Sequence, residues 1–407
     1  MKLIQNGLSD ARVGGGPVRT VRHAEGRTTL VVPEGSLGSV PKTYPAFFNK
    51  AAELNRDITV CLVAAEGADT FCDAMSGVGS RGIRVANEVP TVKKVVLVDI
   101  NRKAMALAMR SARMNSVKAR CSFEVCEVSS YLHSRYGKDM KFGWVDLDPF
   151  GTPVRQIPAV LSAVADGGVG ALTATDTAAL CGVHPEVAVR RYGGRPLNNS
   201  FHHETGLRLL LAAVVRQGAA VDLGVEPVFA HATRHYMRVM FRVEVGATKA
   251  DRSLGRLGFI GACSKCGEIT SGKEPETECP SCGGRLRVAG PLWLGPMSNG
   301  PVVGRAEDEA RRRLMPRAMG LFESVGKIEG LPPWSFAIDE ICSGLKIATV
   351  PEESVMGSLH GLGFRTAKQP FEDRGFKTDA GLDDVKKAVI SSAPGNEYEL
   401  RRLLEKP

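Results

Sequence analysis

Residues 70–99 read TFCDAMSGVGSRGIRVANEVPTVKKVVLVD. Two apolar runs enclose a segment with a helical pattern, and together they predict a strand, a helix and a second strand at residues 70–74, 79–88 and 94–99. The turn between the first strand and the helix carries Gly77, Gly79 and Gly82. Glycine permits a tight turn there and lets a ligand approach the backbone closely. This stretch therefore predicts a βαβ unit with a ligand at its glycine turn.

Asp99 follows the second strand, 20 residues after Gly79. A carboxylate at that strand end can bind both hydroxyls of a ribose. The N-terminus of the helix adds N–H groups for a polar or negative ligand. The turn and the acid together predict a nucleoside-containing cofactor, in preference to a turn that is merely rich in glycine. The pattern does not distinguish NAD from S-adenosylmethionine.

Apolar runs continue to alternate with helical patterns from residue 69 to residue 176. Helices are predicted at residues 102–114 and 153–165, and strands at 122–126, 142–146 and 169–173. Strands that alternate with helices form βαβ units and a mostly parallel sheet with both faces covered. The sequence therefore predicts an α/β architecture for this region.

The composition limits the class of protein. The 407 residues are 43% apolar and 24% charged, which excludes global disorder and suggests two to three domains. The net charge of +9 favours a polyanionic partner, without choosing between nucleic acid and a membrane surface. Residues 1–7 lack the apolar core of a signal peptide. The apolar stretch 207–221 is interrupted by Arg208 and Arg216, so it predicts a buried amphipathic helix and no membrane span.

Four of the ten cysteines form two knuckles, Cys263-x-x-Cys266 and Cys279-x-x-Cys282. Two such pairs can supply four thiolates to zinc, in a closed tetrahedral site with no position for catalysis. Iron accepts the same ligands, but the glycine after each pair favours a zinc ribbon. The other six are predicted to be small core residues, namely Cys61, Cys72, Cys121, Cys126, Cys181 and Cys342. This usage indicates a reducing compartment, and we expect the protein to be cytoplasmic.

The composition changes after about residue 250. The knuckles follow, and a strongly charged helix is predicted from residue 306. Short helical patterns at 337–345 and 352–362 precede an extended segment and a polar turn that reach residue 379. Two helices followed by a strand-turn-strand are typical of a winged helix-turn-helix. We therefore predict two domains, 1–250 and 251–407.

A second chemical motif, Val145-Asp-Leu-Asp-Pro-Phe-Gly151, lies at the end of the strand predicted at 142–146. In open α/β sheets, ligands bind beyond the carboxyl ends of the strands, so this motif points into the same crevice as the glycine turn. Asp148 can accept a hydrogen from the exocyclic amine of a planar base, and Phe150 can stack on that base. This set suits methylation of such an amine. The alternative is a turn in which Asp caps a helix and Phe packs in the core, and the neighbouring glycine turn disfavours it.

Asp146-Leu147-Asp148-Pro149-Phe150-Gly151 resembles the signature of the tRNA guanine N2-dimethyltransferases that act at position 26 of tRNA. Six further segments are similar to that family in the same order along the chain, namely residues 47–49, 54–57, 80–84, 173–176, 180–185 and 290–296. So many ordered motifs argue against chance. The resemblance implies a Rossmann-like class I methyltransferase domain at 1–250. It also implies a smaller α+β domain at 251–407, with the zinc knuckles and a winged-helix-like segment.

The resemblance also implies roles for individual residues. At the cofactor S-adenosyl-L-methionine they are Gly77 and Gly79 in the turn, Arg56 and Arg81 for the methionine carboxylate, Asp99 for the ribose, and Glu127 and Val128 for the adenine. At the target guanine they are Asp148 as the catalytic acidic residue and Phe47 and Phe150 as the stacking aromatics. Glu127-Val128 departs from the family's usual Asp-Ala. Lys50-Ala51-Ala52 departs from its Pro-Arg pattern, which leaves open whether Phe47 or Phe48 stacks on the base.

Two other polar motifs have a structural and a functional interpretation. His202-His203-Glu204 could bind a metal or transfer protons, but the start of a helix is the favoured interpretation. The basic runs Arg190-Arg191 and Arg311-Arg312-Arg313 could contact phosphates, although such runs are usually solvated helix faces.

The favoured function is a tRNA guanine-N2-methyltransferase that uses S-adenosylmethionine. A methyltransferase for an amine of another RNA or of DNA fits the same motif. A nicotinamide oxidoreductase explains Asp99 but gives no role to the Asp-Pro-Phe-Gly motif, and a non-catalytic zinc-ribbon protein leaves the first 250 residues unused. The motifs leave open the oligomeric state, with a monomer compatible, and the ratio of mono- to dimethylation. They also leave open whether a neighbouring guanine is modified.

Overall fold

The computed structural model describes residues 19–38, 46–135, 140–233, 235–372 and 374–393. Residues 1–7, where no signal peptide is predicted, lie outside this part. The chain forms two compact units. Unit one comprises Met1–Asp148, Ala159–Gly170 and Arg305–Met319, and unit two comprises Pro149–Pro158, Ala171–Gly304 and Gly320–Pro407.

Unit one begins with a hairpin and continues with alternating strands and helices. In chain order these are β1 (Thr20–Glu25), β2 (Thr28–Pro33), α1 (Glu53–Glu66), β3 (Thr70–Ala74), α2 (Ser80–Glu88), β4 (Lys94–Val98), α3 (Arg102–Met114), β5 (Cys121–Glu124), α4 (Val128–His133) and β6 (Phe142–Leu147). Next come α5 (Ile157–Ala163) and β7 (Val164–Ala174), which contribute residues to both units. These bounds confirm the predicted alternation, except that α5 is shorter than expected because β7 begins at Val164.

Unit two contains most of the remaining elements. They are α6 (Thr177–Leu180), α7 (Pro185–Tyr192), α8 (His202–Ala219), β8 (Leu223–Thr233), β9 (Tyr236–Val245), α9 (Ala247–Leu254), β10 (Leu257–Cys263), β11 (Ile269–Gly272), β12 (Leu286–Trp293), α10 (Gly300–Arg312), α11 (Pro316–Lys327), α12 (Ile338–Leu345), α13 (Glu352–Gly361), β13 (Thr366–Lys368), β14 (Phe376–Thr378) and α14 (Leu382–Ser391). Part of α10 and of α11 belongs to unit one.

The central sheet is mixed. Within the described residues it has seven strands in the order β5-β4-β3-β6-β7-β9-β8. The pairs β3–β4, β3–β6 and β4–β5 are parallel, which agrees with the predicted βαβ units. At the other edge β8 and β9 are antiparallel, and both lie outside residues 69–176, for which the mostly parallel sheet is predicted. A short connection joins these two strands, and a short connection can link only antiparallel neighbours.

The glycine turn brings α2 unusually close to its neighbours. Gly79 precedes the helix with φ at +75°, and a Cβ there would lie 2.7 Å from side-chain atoms of Ala108 and Leu97. A Cβ at Gly82, in the first turn, would lie 2.9 Å from an Asp73 carboxylate oxygen. The turn therefore places the N-terminus of α2 directly beside the carboxyl ends of β3 and β4, as the sequence predicts.

Helix α8 is buried on nearly every side. The prediction of a buried helix at 207–221 is confirmed, but Arg208 lies inside with it. Arg208 donates to Glu204 Oε1 at 2.7 Å and to the Trp293 and Gly295 carbonyls at 2.9 Å. A buried guanidinium needs such acceptors, because an unpaired charge in the interior is costly. In the described part of the chain, no helix is long and apolar enough to cross a bilayer.

The end of the chain has the predicted order of elements. Helices α12 and α13 are followed by the antiparallel hairpin β13–β14, and α14 completes the group. Their apolar side chains form one core that includes Phe336, Val355, Leu359, Phe376 and Val385. The observed elements follow the predicted order of two helices and a strand-turn-strand, and α14 is an addition that the sequence did not predict.

The charged run on α10 is largely neutralised within the helix. Arg311 pairs with Glu307 and Asp308, and Arg313 pairs with Glu309. Such i,i+3 and i,i+4 pairs stabilise an exposed helix modestly. These contacts favour the interpretation of Arg311 and Arg312 as a solvated helix face, whereas Arg313 is nearly buried and donates to the Glu88 carbonyl at 2.8 Å.

Gly79→Ala is expected to destabilise the protein more than Gly67→Ala. Both glycines have positive φ, +75° and +67°, so alanine costs about 1–2 kcal/mol at either position. At Gly79 the new Cβ also overlaps Ala108 and Leu97, which adds about 1–3 kcal/mol, whereas nothing lies within 4 Å at Gly67. Thermal unfolding measures both variants. Equal losses of Tm would contradict the close packing of α2.

Candidate active site

Arg81 lies at the centre of the site, in the first turn of α2, and is 5% exposed. One end of its guanidinium contacts α1. Its Nη1 donates to Asn55 Oδ1 at 2.8 Å and to Thr59 Oγ1 at 2.7 Å. These bonds fix the plane of the guanidinium and leave Nε and Nη2 for acidic partners.

Three carboxylates surround the other side of Arg81. Its Nε lies 3.2 Å from Asp146 Oδ1, and its Nη2 donates to Asp148 Oδ2 at 2.5 Å. Asp73 stands opposite Asp146 in the parallel register of β3 and β6, and accepts the Gly82 N–H at 2.8 Å. Asp73 and Asp146 are buried, whereas the Asp148 side chain is 32% exposed. Of the three carboxylates, Asp148 is therefore the one a ligand can reach.

The charges of this cluster shift the pKa of two of its members. Burial raises the pKa of Asp73 to about 7; Arg81 opposes that shift and the neighbouring Asp146 adds to it. Burial alone would lower the pKa of Arg81, but Asp146 and Asp148 outweigh burial and raise it. One guanidinium thus serves an acidic cluster that carries excess negative charge when every member is ionised.

Asp99 and the glycine turn are held together as predicted. Asp99 Oδ2 accepts the Gly77 N–H at 2.7 Å, and Oδ1 accepts the Asn101 N–H at 2.8 Å. Gly77 has φ at +55°, and a Cβ there would lie 3.2 Å from the Phe47 carbonyl oxygen. Each carboxylate oxygen has a second lone pair, so Asp99 can still accept hydrogen bonds from two hydroxyls.

Phe47 and Phe48 have opposite environments. Phe48 is 2% exposed, packs edge-on against His23 with ring centres 5.4 Å apart, and lies under the Arg56 guanidinium. Phe47 is 37% exposed and borders the glycine turn. A base can therefore reach Phe47, while Phe48 belongs to the interior.

Arg56 is buried in an ion-pair network of its own. Its Nε and Nη2 donate to the two oxygens of Glu25 at 2.5 and 2.7 Å, and Nη2 also donates to the Asn49 carbonyl at 3.0 Å. Burial opposes ionisation of Glu25, but Arg56 and Arg84 outweigh it and lower the pKa of that carboxyl. Arg56 is thus held by Glu25, while Arg81 is held by the acidic cluster.

Glu127 caps the helix that follows β5. Its carboxylate accepts the N–H groups of Ser129 at 2.9 Å and Ser130 at 2.7 Å, at the N-terminus of α4. Burial would raise its pKa, but these backbone donors lower it. Val128, the first residue of α4, is buried.

The motif after β6 forms a pinned turn in unit two. Gly151 has φ at +76°, donates its N–H to Thr175 Oγ1 at 2.7 Å and accepts the Thr175 N–H at 2.8 Å. Asp176 accepts hydrogen bonds from Tyr192 Oη at 2.6 Å and from Arg191 at 2.9 Å. Phe150, just before this turn, is 76% exposed. Thr175 therefore links the segment 173–176 to the turn of the acidic motif.

The four knuckle cysteines converge in unit two. Their sulfur atoms all lie within 4.8 Å of one another, with Cys263–Cys282 and Cys266–Cys279 at 3.6 Å. The glycines after the pairs, Gly267 and Gly283, adopt positive φ. Four sulfurs at these separations suit one tetrahedral metal ion.

Motif analysis missed Asp73, Asn55 and Thr59 as members of the site. Asp73 is the penultimate residue of the strand before the glycine turn, and that position was its signal. Asn55 and Thr59 lie four residues apart on α1, a spacing that places both on one helix face.

A glycine turn after one parallel strand, an acid after the next and an acidic motif at the end of a third define an α/β-class methyltransferase. The model of the family "N2,N2-dimethylguanosine tRNA methyltransferase" matches residues 25–390. The chain belongs to this family, which confirms the resemblance found in its motifs.

Similar proteins agree with this assignment. A tRNA (guanine(26)-N(2))-dimethyltransferase of Methanopyrus kandleri is 36% identical over 381 residues, which cover 93% of this chain and 98% of that protein. One of Methanothermobacter thermautotrophicus is 33% identical, with 91% and 98% covered. Trm1 from Pyrococcus horikoshii, solved in complex with S-adenosyl-L-methionine, has a TM-score of 0.81 and 28% identity, with 91% and 99% covered.

The raised pKa of Asp73 predicts a pH dependence of stability. Between its ordinary pKa of 3.8 and its folded value of about 7, the folded protein retains a proton that the unfolded chain has released. The stability due to this group therefore falls as pH rises through that range, by up to about 1.4 kcal/mol per pH unit. Asp73→Asn should lack this loss and gain stability relative to wild type from pH 4 to 7.

Chemical denaturation at several pH values measures the difference between Asp73→Asn and wild type. Asp251→Asn, at an exposed position on α9, is the control and should show no such trend. A difference for Asp73→Asn that stays constant from pH 4 to 8 would contradict the raised pKa.

Proposed function

We propose that this chain methylates the exocyclic N2 amine of guanine at position 26 of tRNA, once or twice, with S-adenosyl-L-methionine as the methyl donor. The full-length likeness to enzymes named for this reaction supports the substrate. The observation that carries the chemistry is the accessible Asp148 carboxylate, held by Arg81 at the end of β6.

The glycine turn fits the cofactor. A Cβ at Gly77 would lie 3.2 Å from the Phe47 carbonyl oxygen, so glycine leaves this backbone open to a ligand. Asp99 accepts the Gly77 N–H and has further lone pairs for hydroxyl groups. We assign Asp99 to the ribose hydroxyls and the N-terminal region of α2, with Gly79, to the polar end of the cofactor. Arg81 and Arg56 are the cations proposed for the methionine carboxylate, and both are buried beside acids, Arg56 beside Glu25 and Arg81 beside Asp146 and Asp148.

Glu127 and Val128 are the residues proposed for the adenine. The Glu127 carboxylate serves as the cap of α4. It can receive the adenine amine through its remaining lone pairs while it keeps both serine N–H bonds. The substitution of glutamate for the family's usual aspartate is compatible with that double role.

The target amine is a weak nucleophile because its lone pair is delocalised into the guanine ring. S-adenosylmethionine supplies an electrophilic sulfonium methyl group and leaves as a neutral thioether. Arg81 occupies Asp148 Oδ2, and Oδ1 accepts no hydrogen bond from the described residues. Asp148 Oδ1 can therefore accept an N2 hydrogen and stabilise the positive charge that develops on the nitrogen.

Arg81 fixes the position of Asp148. Its Nη2 donates to Asp148 Oδ2 at 2.5 Å, and this charge-assisted hydrogen bond holds the carboxylate at the end of β6. Asp146 and Asp73 share the same guanidinium, which limits how much of its charge falls on Asp148. Phe47 and Phe150, both exposed, are the aromatics proposed to hold the guanine. Stacking on one such ring contributes about 1–3 kcal/mol per base.

Nucleoside mass spectrometry of tRNA incubated with the protein and labelled cofactor tests the function. We expect labelled N2-methyl- and N2,N2-dimethylguanosine at position 26. Label in DNA or ribosomal RNA but not in tRNA would show that tRNA is not the substrate. The same mixture with NAD in place of S-adenosylmethionine is the control for the oxidoreductase alternative.

Asp148→Asn should lower the rate of methyl transfer about 10²- to 10³-fold with little change in tRNA affinity, because the lost charge acts in the transition state. Asparagine keeps the shape and one acceptor oxygen. Single-turnover assays at saturating tRNA and cofactor measure the rate, with Asp251→Asn as a matched surface control. A wild-type rate in Asp148→Asn would show that the negative charge of the carboxylate is not needed for methyl transfer.

For residues 251–407 we propose tRNA binding, with one structural zinc ion at the knuckles. The convergence of four sulfur atoms supports the metal, and the winged-helix order of α12 to β14 supports the nucleic-acid role. The metal ties β10 to the segment before β12 and has no open position for chemistry.

Cys279→Ser is expected to remove this zinc, lower Tm and leave methyl transfer measurable in the protein that stays folded. Loss of one of four thiolates breaks a closed site whose binding energy contributes to folding. Elemental analysis and thermal unfolding are the measurements, and Cys342→Ser is the control at another buried cysteine. Protein purified without chelator that holds neither zinc nor iron would contradict the site.

A further inference from the structure

A second group of metal-binding side chains lies in unit two. The Cys181 sulfur and a ring nitrogen each from His202 and His203 lie within 4.8 Å of one another. Cys181 follows α6, and the two histidines open α8. Sequence analysis predicts the histidines as a helix start, which α8 confirms, and it predicts Cys181 as a core residue. The structure brings the three together.

The hydrogen bonds of His202 determine which nitrogen is available. Its Nδ1 lies 2.6 Å from the Asn199 carbonyl oxygen, which can only accept, so Nδ1 carries the proton. In the neutral ring, Nε2 then has a lone pair. This is the tautomer that a metal-ligating histidine adopts when a backbone carbonyl orients it.

His203 is oriented in the same way by an acid. Its Nδ1 lies 2.6 Å from Glu372 Oε2, and its backbone N–H donates to Glu372 Oε1 at 2.7 Å. A carboxylate behind a histidine fixes the ring and increases the basicity of the opposite nitrogen. Nε2 of His203 is therefore also prepared to donate a lone pair.

The group is compact and partly enclosed. The two imidazole rings have centres 4.3 Å apart. Cys181 is 7% exposed, and the His203 and Glu372 side chains are 17% and 6% exposed. His202, at 31%, leaves an approach from solvent.

We propose that Cys181, His202 and His203 bind one divalent transition-metal ion of the zinc type, separate from the knuckle site. The Cys181 thiolate and both Nε2 atoms are the ligands, Glu372 and the Asn199 carbonyl orient the rings, and water completes the coordination. One sulfur and two nitrogens are a donor set that zinc accepts.

Metal binding exchanges one bond for another at Cys181. The thiol proton passes to solvent and the sulfur bonds to the metal. The ion would join the start of α8 to the loop after α6, and through Glu372 to the segment before β14.

Hydrogen bonding alone is the competing explanation. Glu372 accepts two bonds from His203 at the start of α8, which accounts for that acid as a local cap. Glu372 Oε2 also lies 3.9 Å from His202 Nε2, which is beyond hydrogen-bond distance. Hydrogen bonding to Glu372 does not account for the approach of the Cys181 sulfur to both rings. The two explanations differ in how many metal ions the chain holds.

The test is the stoichiometry of the full chain, purified without chelator and exchanged into Co²⁺. We expect two Co²⁺ per chain by elemental analysis, and one in Cys181→Ser or in His203→Ala. The double variant Cys263→Ser/Cys279→Ser should keep one, with a weak single-thiolate charge-transfer absorption. Cys342→Ser, at a buried cysteine of the α12 core, should keep both. One Co²⁺ in wild type that is lost in the double variant would overturn the proposal.

Glu372→Gln separates a metal site from a hydrogen-bonded cap. It retains all three ligands, so we expect Co²⁺ affinity at this site to fall about 10- to 100-fold while the knuckle site is unchanged. Circular dichroism verifies that each variant is folded. The Co²⁺ count of the wild-type protein does not depend on the folding of any variant. If folded Cys181→Ser still held two Co²⁺, as wild type does, the proposal would also be overturned.

Discussion

The methyltransferase site depends on one buried guanidinium shared among three carboxylates. Arg81 receives support from α1 and presents its remaining N–H groups to Asp146 and Asp148, with Asp73 beside them. A buried charge of this kind is stable only when its partners are complete, and removal of one partner leaves the others uncompensated. The ends of β3 and β6 and the start of α2 are therefore bound to one another by electrostatics as well as by packing.

The same arrangement separates structural acids from a reactive one. Asp73 and Asp146 are buried on neighbouring strands, while Asp148, the residue just after β6, reaches solvent. Side chains alternate between the faces of a strand, but Asp148 lies past the last residue of β6, where the backbone turns away. The acid beyond the sheet is thus the one that a ligand can reach, and Arg81 fixes its position through a hydrogen bond to Asp148 Oδ2.

Unit two uses buried ion pairs to hold together segments that are distant in sequence. The buried Glu204 carboxylate on α8 accepts hydrogen bonds from Arg208 and from Lys377 of β14, at 2.6 to 3.0 Å. Burial favours the neutral carboxyl, yet Lys377 and Arg208 lower the pKa of Glu204 to about 2. A neighbouring pair of contacts joins His203 to Glu372. The sequence predicts His203 and Glu204 only as part of a helix start. In the folded chain they anchor the segment that contains Glu372 and Lys377.

The sequence alone predicts the features of this protein that depend on residues close together in the chain. The glycine turn, Asp99, the alternation from β3 to β7 and the cysteine knuckles were all predictable, because backbone conformation and ligand spacing follow from adjacent residue types. The position of Asp73 opposite Asp146, the pairing of Glu25 with Arg56, and the exposure of Phe47 instead of Phe48 were decided by tertiary structure. Burial and ion pairing depend on which distant segments meet, and two adjacent phenylalanines differ only in the direction in which the folded backbone turns each ring.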